Sequence, residues 1–549
     1  MVNSSHSQSL LPPKTTHKTS LNHKILIFSF SLITLFSLAY LGLVFIQPHK
    51  SNPIKTPPLY EESSKSSDGK ELLKSILLSH VTHINKAIDA TKSVNDNNNN
   101  VLKGVQEITD CLELLDLSRD RVTDSIKSLA KRNINNNHNN AKDDITTWLS
   151  AVLTNYVTCL DQLQDHSHLL ELKSMIEDLI SSSRKILSIQ KQVFREKESS
   201  ISENNLIIRK PLYGDYPSWV RSHDKKLLEV SGSETVADVV VAKDGSGNFT
   251  TVAEAVASAP DKGKQRYVIY VKEGVYEENV EVGKKKKNVM IVGDGMNLTV
   301  ITGNENVVDG NTTFRSATLA AVGDGFILQD ICIQNTAGPE KHQAVALRVG
   351  ADQSVINRCQ INAYQDTLYA HSLRQFYAHS SISGTIDFIF GNAAVVVQNC
   401  QLIVRQPMKG QKNMVTAQGR TDPSQNTGTS IQYCDIIASS DLGPVQGQFP
   451  TFLGRPWKNF SRTVVMQSNI SDVIDPQGWF EWDGDFALDT LYYGEYMNYG
   501  LGADTSKRVN WTGYHIITDV NVAKSFTVGE FIQGQQWLDS TGVSYVEGL

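Results

Sequence analysis

Two short words set 21 residues apart constrain this chain more than anything else in it. Gln365-Asp366-Thr367-Leu368-Tyr369 is followed by Gly384-Thr385-Ile386-Asp387-Phe388-Ile389-Phe390-Gly391; Asp366 and Asp387 are 21 positions apart, and Gln343 precedes Gln365 by 22. Intervals of this order suit one coil of a parallel β-solenoid. Residues one coil apart then lie one strand spacing from each other, about 4.8 Å. Two carboxyls and two amides converge on one exposed face, as an acid/base and nucleophile pair with donors for an oxyanion.

The sequence from 236 onward fits that architecture. Short β-rich runs recur at Val239–Val241, Tyr267–Val271, Val289–Val292, Phe326–Ile333, Ala344–Val349, Ala394–Val397 and Leu402–Val404, punctuated by Gly and Asn. Almost no helical pattern separates them, which excludes a doubly wound fold. Several runs are continuously apolar rather than alternating, which argues against a sandwich. Asn335, Asn357, Asn362, Asn392 and Asn399 suit tight corners. Cys332 and Cys359 are 27 apart and Cys400 and Cys434 are 34 apart, each near one coil or one coil plus a loop.

The N-terminal part has a different texture. Ile25 to Ile46 is an uncharged apolar run of 22 residues preceded by Lys14, Lys18 and Lys24. That is long enough to span a bilayer, and the flanking charge keeps the N-terminus cytoplasmic. Residues 1–50 therefore read as a basic stretch with a signal-anchor (a long cleaved signal peptide is the competitor) and 51–69 as a Pro/Ser/Lys-rich tether. Either reading sends the remainder into the secretory pathway, with which Asn-X-Ser/Thr acceptors at Asn248, Asn297, Asn311, Asn459, Asn469 and Asn510 are compatible. Over 70–198 apolar residues recur at three- and four-residue steps, predicting a small helical bundle interrupted by asparagine tracts at 95–100 and 133–140. Cys111 and Cys159 could cross-link two of its helices. Residues 199–235 read as a linker holding two basic pairs, Arg209-Lys210 and Lys225-Lys226, the latter the candidate for a processing protease.

Charge excludes one class of function. Residues 231–549 carry 24 Lys+Arg against 33 Asp+Glu, a net charge near −9. Such a surface is not a nucleic-acid-binding one, and the run Lys284–Lys287 reads as a solvated turn.

These words resemble those of plant pectin methylesterases. Gly274-Val275-Tyr276-Glu277-Glu278, Gln343-Ala344-Val345-Ala346-Leu347-Arg348, the two aspartate words and Leu453-Gly454-Arg455-Pro456-Trp457 carry the resemblance across more than 300 residues. Asp110-Cys111-Leu112-Glu113-Leu114, Trp148-Leu149-Ser150-Ala151 and Thr158-Cys159-Leu160-Asp161 are similar to the inhibitor-like pro-region fused to such enzymes. Residues 70–95 lack the two further cysteines usual there, and Lys225-Lys226-Leu227-Leu228 stands where the family has Arg-Arg-Leu-Leu. The resemblance implies an all-β, right-handed parallel β-helix over 236–549 behind the helical pro-region. It implies a secreted cell-wall enzyme, membrane-anchored before processing and monomeric, that acts on methyl-esterified pectin without cofactor or metal. A proteinaceous pectin methylesterase inhibitor is a possible partner. Disulfides Cys332–Cys359, Cys400–Cys434 and Cys111–Cys159 are expected.

The same resemblance assigns residues. Asp387 is the nucleophile, Asp366 the general acid and then base, Arg455 the partner that keeps Asp387 ionised, and Gln343 and Gln365 the oxyanion donors. Thr313, Gln343, Tyr369, Phe390, Arg455, Trp457 and Trp479 form the substrate cleft. The residues themselves agree: no Gly-X-Ser-X-Gly elbow is present, so a serine esterase would lack its nucleophile. Close carboxyls cannot easily both ionise, which separates acid from nucleophile. Three other readings compete: a β-helical lyase or polygalacturonase, an inhibitor or binding module with an inert β-helix, and a membrane-tethered wall-binding protein. Depolymerases want a calcium-binding acidic cluster or further clustered aspartates in their own motifs, and neither appears in the sequence.

Overall fold

The computed structural model describes residues 62–98, 105–130, 138–164, 169–195 and 236–549. The apolar run 25–46, most of the tether and the whole linker with Lys225-Lys226 lie outside these residues. Among the described residues no helix is long and apolar enough to cross a membrane.

Four helices come first: α1 (Glu62–Asn98), α2 (Val105–Ala130), α3 (His138–Leu163) and α4 (Leu170–Arg195). In α2, Ile108, Cys111, Leu114, Leu115 and Val122 are buried, and in α3, Ile145, Leu149, Val152, Leu153, Tyr156 and Cys159. These steps of three and four line one face of each helix, which packs against its neighbours. A disulfide between Cys111 and Cys159 ties α2 to α3. The helical pattern extends further than the composition suggested. α1 begins at Glu62, within the stretch read as tether, and runs four residues into the first asparagine tract (95–100), to Asn98.

From 239 onward the chain winds into a parallel β-helix of three sheets, with eleven, seven and eight strands among the described residues. In the seven-stranded sheet Leu347 pairs with Leu368, and Leu368 with Ile389, so two successive coils are 21 residues each. Ile389 then pairs with Thr416, and Thr416 with Gly454, so later coils lengthen by carrying loops. This is why Arg455, 68 residues beyond Asp387 in sequence, comes back to it in space.

The continuous apolar runs are explained by burial on two faces. Val395 and Val397 point into the bore of the β-helix, while Val396 packs outward against Phe526, Phe531 and Trp537 of the C-terminal segment. On the seven-stranded sheet the outward face is covered by the helices. Phe314, Tyr369, Phe390 and Ala417 belong to one apolar cluster with Ile108, Leu149, Val152 and Tyr156.

Two expectations about the coil are corrected. Cys332, Cys359, Cys400 and Cys434 are buried thiols, not two disulfides. Cys332 pairs with Gln360, so Cys359 is one position out of step, and adjacent positions of a strand point to opposite faces. Cys400 and Cys434 are stacked one coil apart inside the bore, where the Cys400 amide donates to Cys434 Sγ at 3.5 Å. They belong to a column continuing through Ser380 and Ser468, in which each thiol or hydroxyl accepts from the amide of the preceding coil. The corner just before this column needs a left-handed residue, and Asn399 supplies one at φ 53°. The other asparagines named above do not; Arg358, His379, Tyr433 and Gln467 take that corner instead.

Candidate active site

Asp366 and Asp387 each stand two residues before a strand of the seven-stranded sheet, in the left-handed region at φ 63° and 53°. Aspartate tolerates this conformation better than most residues, and such strain concentrates at functional sites. Because the strands that follow are in register, the two carboxyls are neighbours one coil apart. Both are buried, at 8% and 5% exposure.

Arg455 distinguishes them. Its Nε donates to Asp387 Oδ1 at 2.8 Å and its Nη2 to Asp387 Oδ2 at 2.7 Å. Burial pushes both carboxyls up. For Asp387 the hydrogen bonds and charge of Arg455 oppose that rise. Asp366 lacks such a fork, and the charge of Asp387 adds to burial, so its carboxyl is held well above the usual carboxylate range. Of the two carboxyls, Asp366 is therefore the one that keeps a proton more readily. Gly454 sets the arginine: a Cβ there would lie 2.1 Å from Thr416 Oγ1, so only glycine lets this strand end pack.

The glutamines come from neighbouring coils. The Gln365 carbonyl accepts from the Ala344 amide at 3.2 Å, the bond by which a parallel ladder sets Gln343 opposite Gln365. Gln365 Oε1 is buried without a hydrogen-bond partner among the described residues. Amide ladders do exist in this β-helix, but on the eleven-stranded sheet, where Gln398, Gln432 and Gln467 donate one to the next at 2.9 Å.

Aromatic rings extend the site along the sheet. Tyr369 stacks on Phe390 with centroids 4.2 Å apart, and Trp457 meets Phe390 edge to face at 5.9 Å. Gly419 makes room for Trp457, since a Cβ would come within 2.8 Å of its ring. Thr313 is half-buried beside Phe314. Trp479 is corrected: it is fully buried, stacked on Tyr493 at 4.2 Å inside the bore, and presents no face to a cleft. Trp482, three residues on, is the tryptophan at the surface, with the Arg455 guanidinium 4.4 Å from its ring centroid. Sequence reading also passed over Phe314 and His371, which pack edge to face on each other and on Tyr369.

Helices α2 and α3 lie over this row. Thr158 Oγ1 is 3.0 Å from His371 Nε2, and burial beneath it pushes the His371 imidazole down to about 3, so the ring is neutral. Lys458, next to Trp457, reaches Asp161 at 2.7 Å, Trp148 donates to Asp352 at 3.1 Å, and Asn392 donates to Thr154 at 2.8 Å.

The comparisons with known proteins agree with this geometry. Residues 238–535 match the Pectinesterase family model, more than half of the chain. The chain belongs to the pectinesterase family. Residues 55–192 match the Plant invertase/pectin methylesterase inhibitor family. Pectinesterase 2.1 of Solanum lycopersicum is 60% identical over 88% of this chain and 86% of its own length. A Pectinesterase/pectinesterase inhibitor of Ficus pumila var. awkeotsang is 56% identical over 88% and 87%. Among solved structures, pectin methylesterase from carrot is 63% identical, with a TM-score of 0.57, over 57% of this chain and 98% of its own. That solved chain has about the extent of the β-helical part alone. The family membership makes this chain an enzyme, a pectinesterase with an inhibitor-like helical region before its β-helix.

Proposed function

We propose that the chain hydrolyses the methyl esters of homogalacturonan pectin, giving pectate and methanol, with Asp387 as nucleophile and Asp366 as acid and base. The observation that carries this reading is the asymmetry of the pair: one carboxyl is forked by Arg455 and the other is not. An ionised Asp387 oxygen attacks the ester carbonyl, and the amides of Gln343 and Gln365 donate to the oxyanion that forms. Asp366 gives its proton to the departing methoxide, which leaves as methanol. The galacturonyl group is then joined to Asp387 as an anhydride. Asp366, now ionised, takes a proton from water; the hydroxide attacks the anhydride, releasing the free galacturonate carboxyl and restoring Asp387. None of these steps calls for a metal or cofactor. Tyr369, Phe390 and Trp457 offer flat apolar surfaces to sugar rings, with Thr313 as a polar contact.

A second part of the reading concerns the helices. Their apolar core is continuous with Phe314, Tyr369 and Phe390, so they cover the row that the polymer would use. The enzyme is therefore held closed until 70–198 is removed, with Lys225-Lys226 as the cut that divides it from the β-helix over 236–549. Secretion to the cell wall, with the run 25–46 as the export signal, completes the proposal.

The test is methanol release from highly methylated pectin by residues 229–549, with and without Asp387→Asn, alongside the length of the polymer. Methanol from the parent alone, with the polymer intact, is expected. A shortened polymer without methanol would move the chain to the depolymerases; methanol from both would remove Asp387 from its role.

A further inference from the structure

Arg348 takes no part in the mechanism above, and its surroundings are unusual. It pairs across the seven-stranded sheet with Tyr369, which pairs with Phe390, so its side chain belongs to the same outward row as the aromatic floor. Its guanidinium lies flat on Phe314, 3.4 Å from the ring centroid. It is 2% exposed, yet its Nε and Nη1 make no hydrogen bond among the described residues. An arginine buried with half its fork unused carries a large desolvation cost, and a fork of that geometry fits a carboxylate.

What faces it in this state is a carboxylate of the helices. Glu113 of α2 brings Oε1 to 3.9 Å from Arg348 Nη1, too long for a hydrogen bond, and that oxygen is itself buried without a partner. The other oxygen of Glu113 accepts from Arg315 Nη2 at 2.5 Å, and Arg315 also binds Asp110. Asp110 and Glu113 are one helical turn apart, so they stand on the same face of α2. Two carboxylates in a row thus sit over two arginines, on the groove where a polymer of carboxyl-bearing sugars would run.

Resting on the esterase reading of the aspartate pair, we propose that Arg348, assisted by Arg315, is a subsite for the free carboxylate of an already de-esterified galacturonate. Asp110 and Glu113 stand in for that carboxylate while the helices are docked. Arg348 lies one coil from Asp366 and two from Asp387, roughly 10 Å along the axis. It therefore addresses a neighbouring sugar rather than the one whose ester is cut. A methyl ester offers that fork no charge, so the subsite favours attack beside an earlier product. The looseness of the Glu113 contact has a use: the stand-in is a poorer partner for Arg348 than a sugar carboxylate free to close the distance.

The test uses calorimetric titration of residues 229–549 with unesterified hexagalacturonate and with its fully methyl-esterified form. The Asp387→Asn background keeps the ester probe intact. Arg348→Gln is expected to weaken binding of the unesterified hexamer at least tenfold and to leave the esterified one within twofold. Equal affinity of the Arg348→Gln and parent proteins for the unesterified hexamer, or an equal loss for both probes, would overturn the proposal. If Arg348→Gln does not fold, Arg315→Gln, whose side chain is partly exposed, carries the same comparison. Failure of the esterase reading would show separately, as no methanol released from the ester probe by the protein that keeps Asp387.

Discussion

Arg455 and Asp387 meet fork to fork, two hydrogen bonds of 2.8 and 2.7 Å joining the last strand end of the site to the carboxyl two coils away. A lysine could reach one of those oxygens but could not hold both. A charge-assisted hydrogen bond contributes roughly 1.5–3 kcal/mol. Arg455→Lys should therefore lower methanol release about tenfold to a hundredfold, measured as kcat on methylated pectin.

In the proposed mechanism Asp366 sets the high-pH limit of the reaction. Its folded value is raised, so the protonated group contributes stability that is fully present below the ordinary carboxyl value and is lost as pH rises through the raised one. Methanol release should decline over that same rise, giving a bell whose acid side belongs to Asp387. Thermal unfolding followed against pH checks the assignment: Asp366→Asn should abolish the alkaline fall in stability.

Trp482 covers the outer face of the Arg455 guanidinium. Cation–π contacts are worth roughly 0.5–2 kcal/mol. Trp482→Ala should slow methanol release about two- to thirtyfold, whereas Trp479→Ala should act through stability, because that ring fills the bore. Paired thermal unfolding and activity measurements separate the two.

The ion pairs that hold the helices are unequal. Lys458–Asp161 is partly solvated on both sides, and pairs of that kind contribute about 0–1 kcal/mol. Arg121 is 9% exposed as it binds Asp324, and removing one partner of a buried pair costs roughly 3–5 kcal/mol. Arg121→Ala should raise methanol release by the uncut chain well above that of Asp161→Ala, in an assay of the two full-length proteins.

The buried thiols can be counted. Titration of the unfolded, unreduced protein should find four thiols, from Cys332, Cys359, Cys400 and Cys434. Two or none would restore a disulfide to the β-helix.

Much of the site was legible because a parallel β-helix converts sequence interval directly into distance. Twenty-one residues from Asp366 to Asp387 is one coil, and the structure stacks them accordingly. That rule weakens wherever loops lengthen a coil, so Arg455 was reached through its word and not by counting. It also misled where one residue decides the face: Cys332 and Cys359 were a coil apart in number but faced opposite ways. Trp479 and Trp482 share a run in which no local pattern says which ring turns inward. The cover of α2 and α3 over the aromatic floor could not be read at all, since it joins residues more than 200 positions apart through surface shape.

That shared floor carries a consequence for how such a chain can change over generations. Phe314, Tyr369 and Phe390 pack against the apolar face of a helix pair, and under the function proposed above the same row would later receive a sugar chain. A substitution that improves the grip on one alters the other. Drift in this row is therefore coupled to compensating drift in α2 and α3, and an enzyme half exchanged with that of a relative would inherit a mismatched cover.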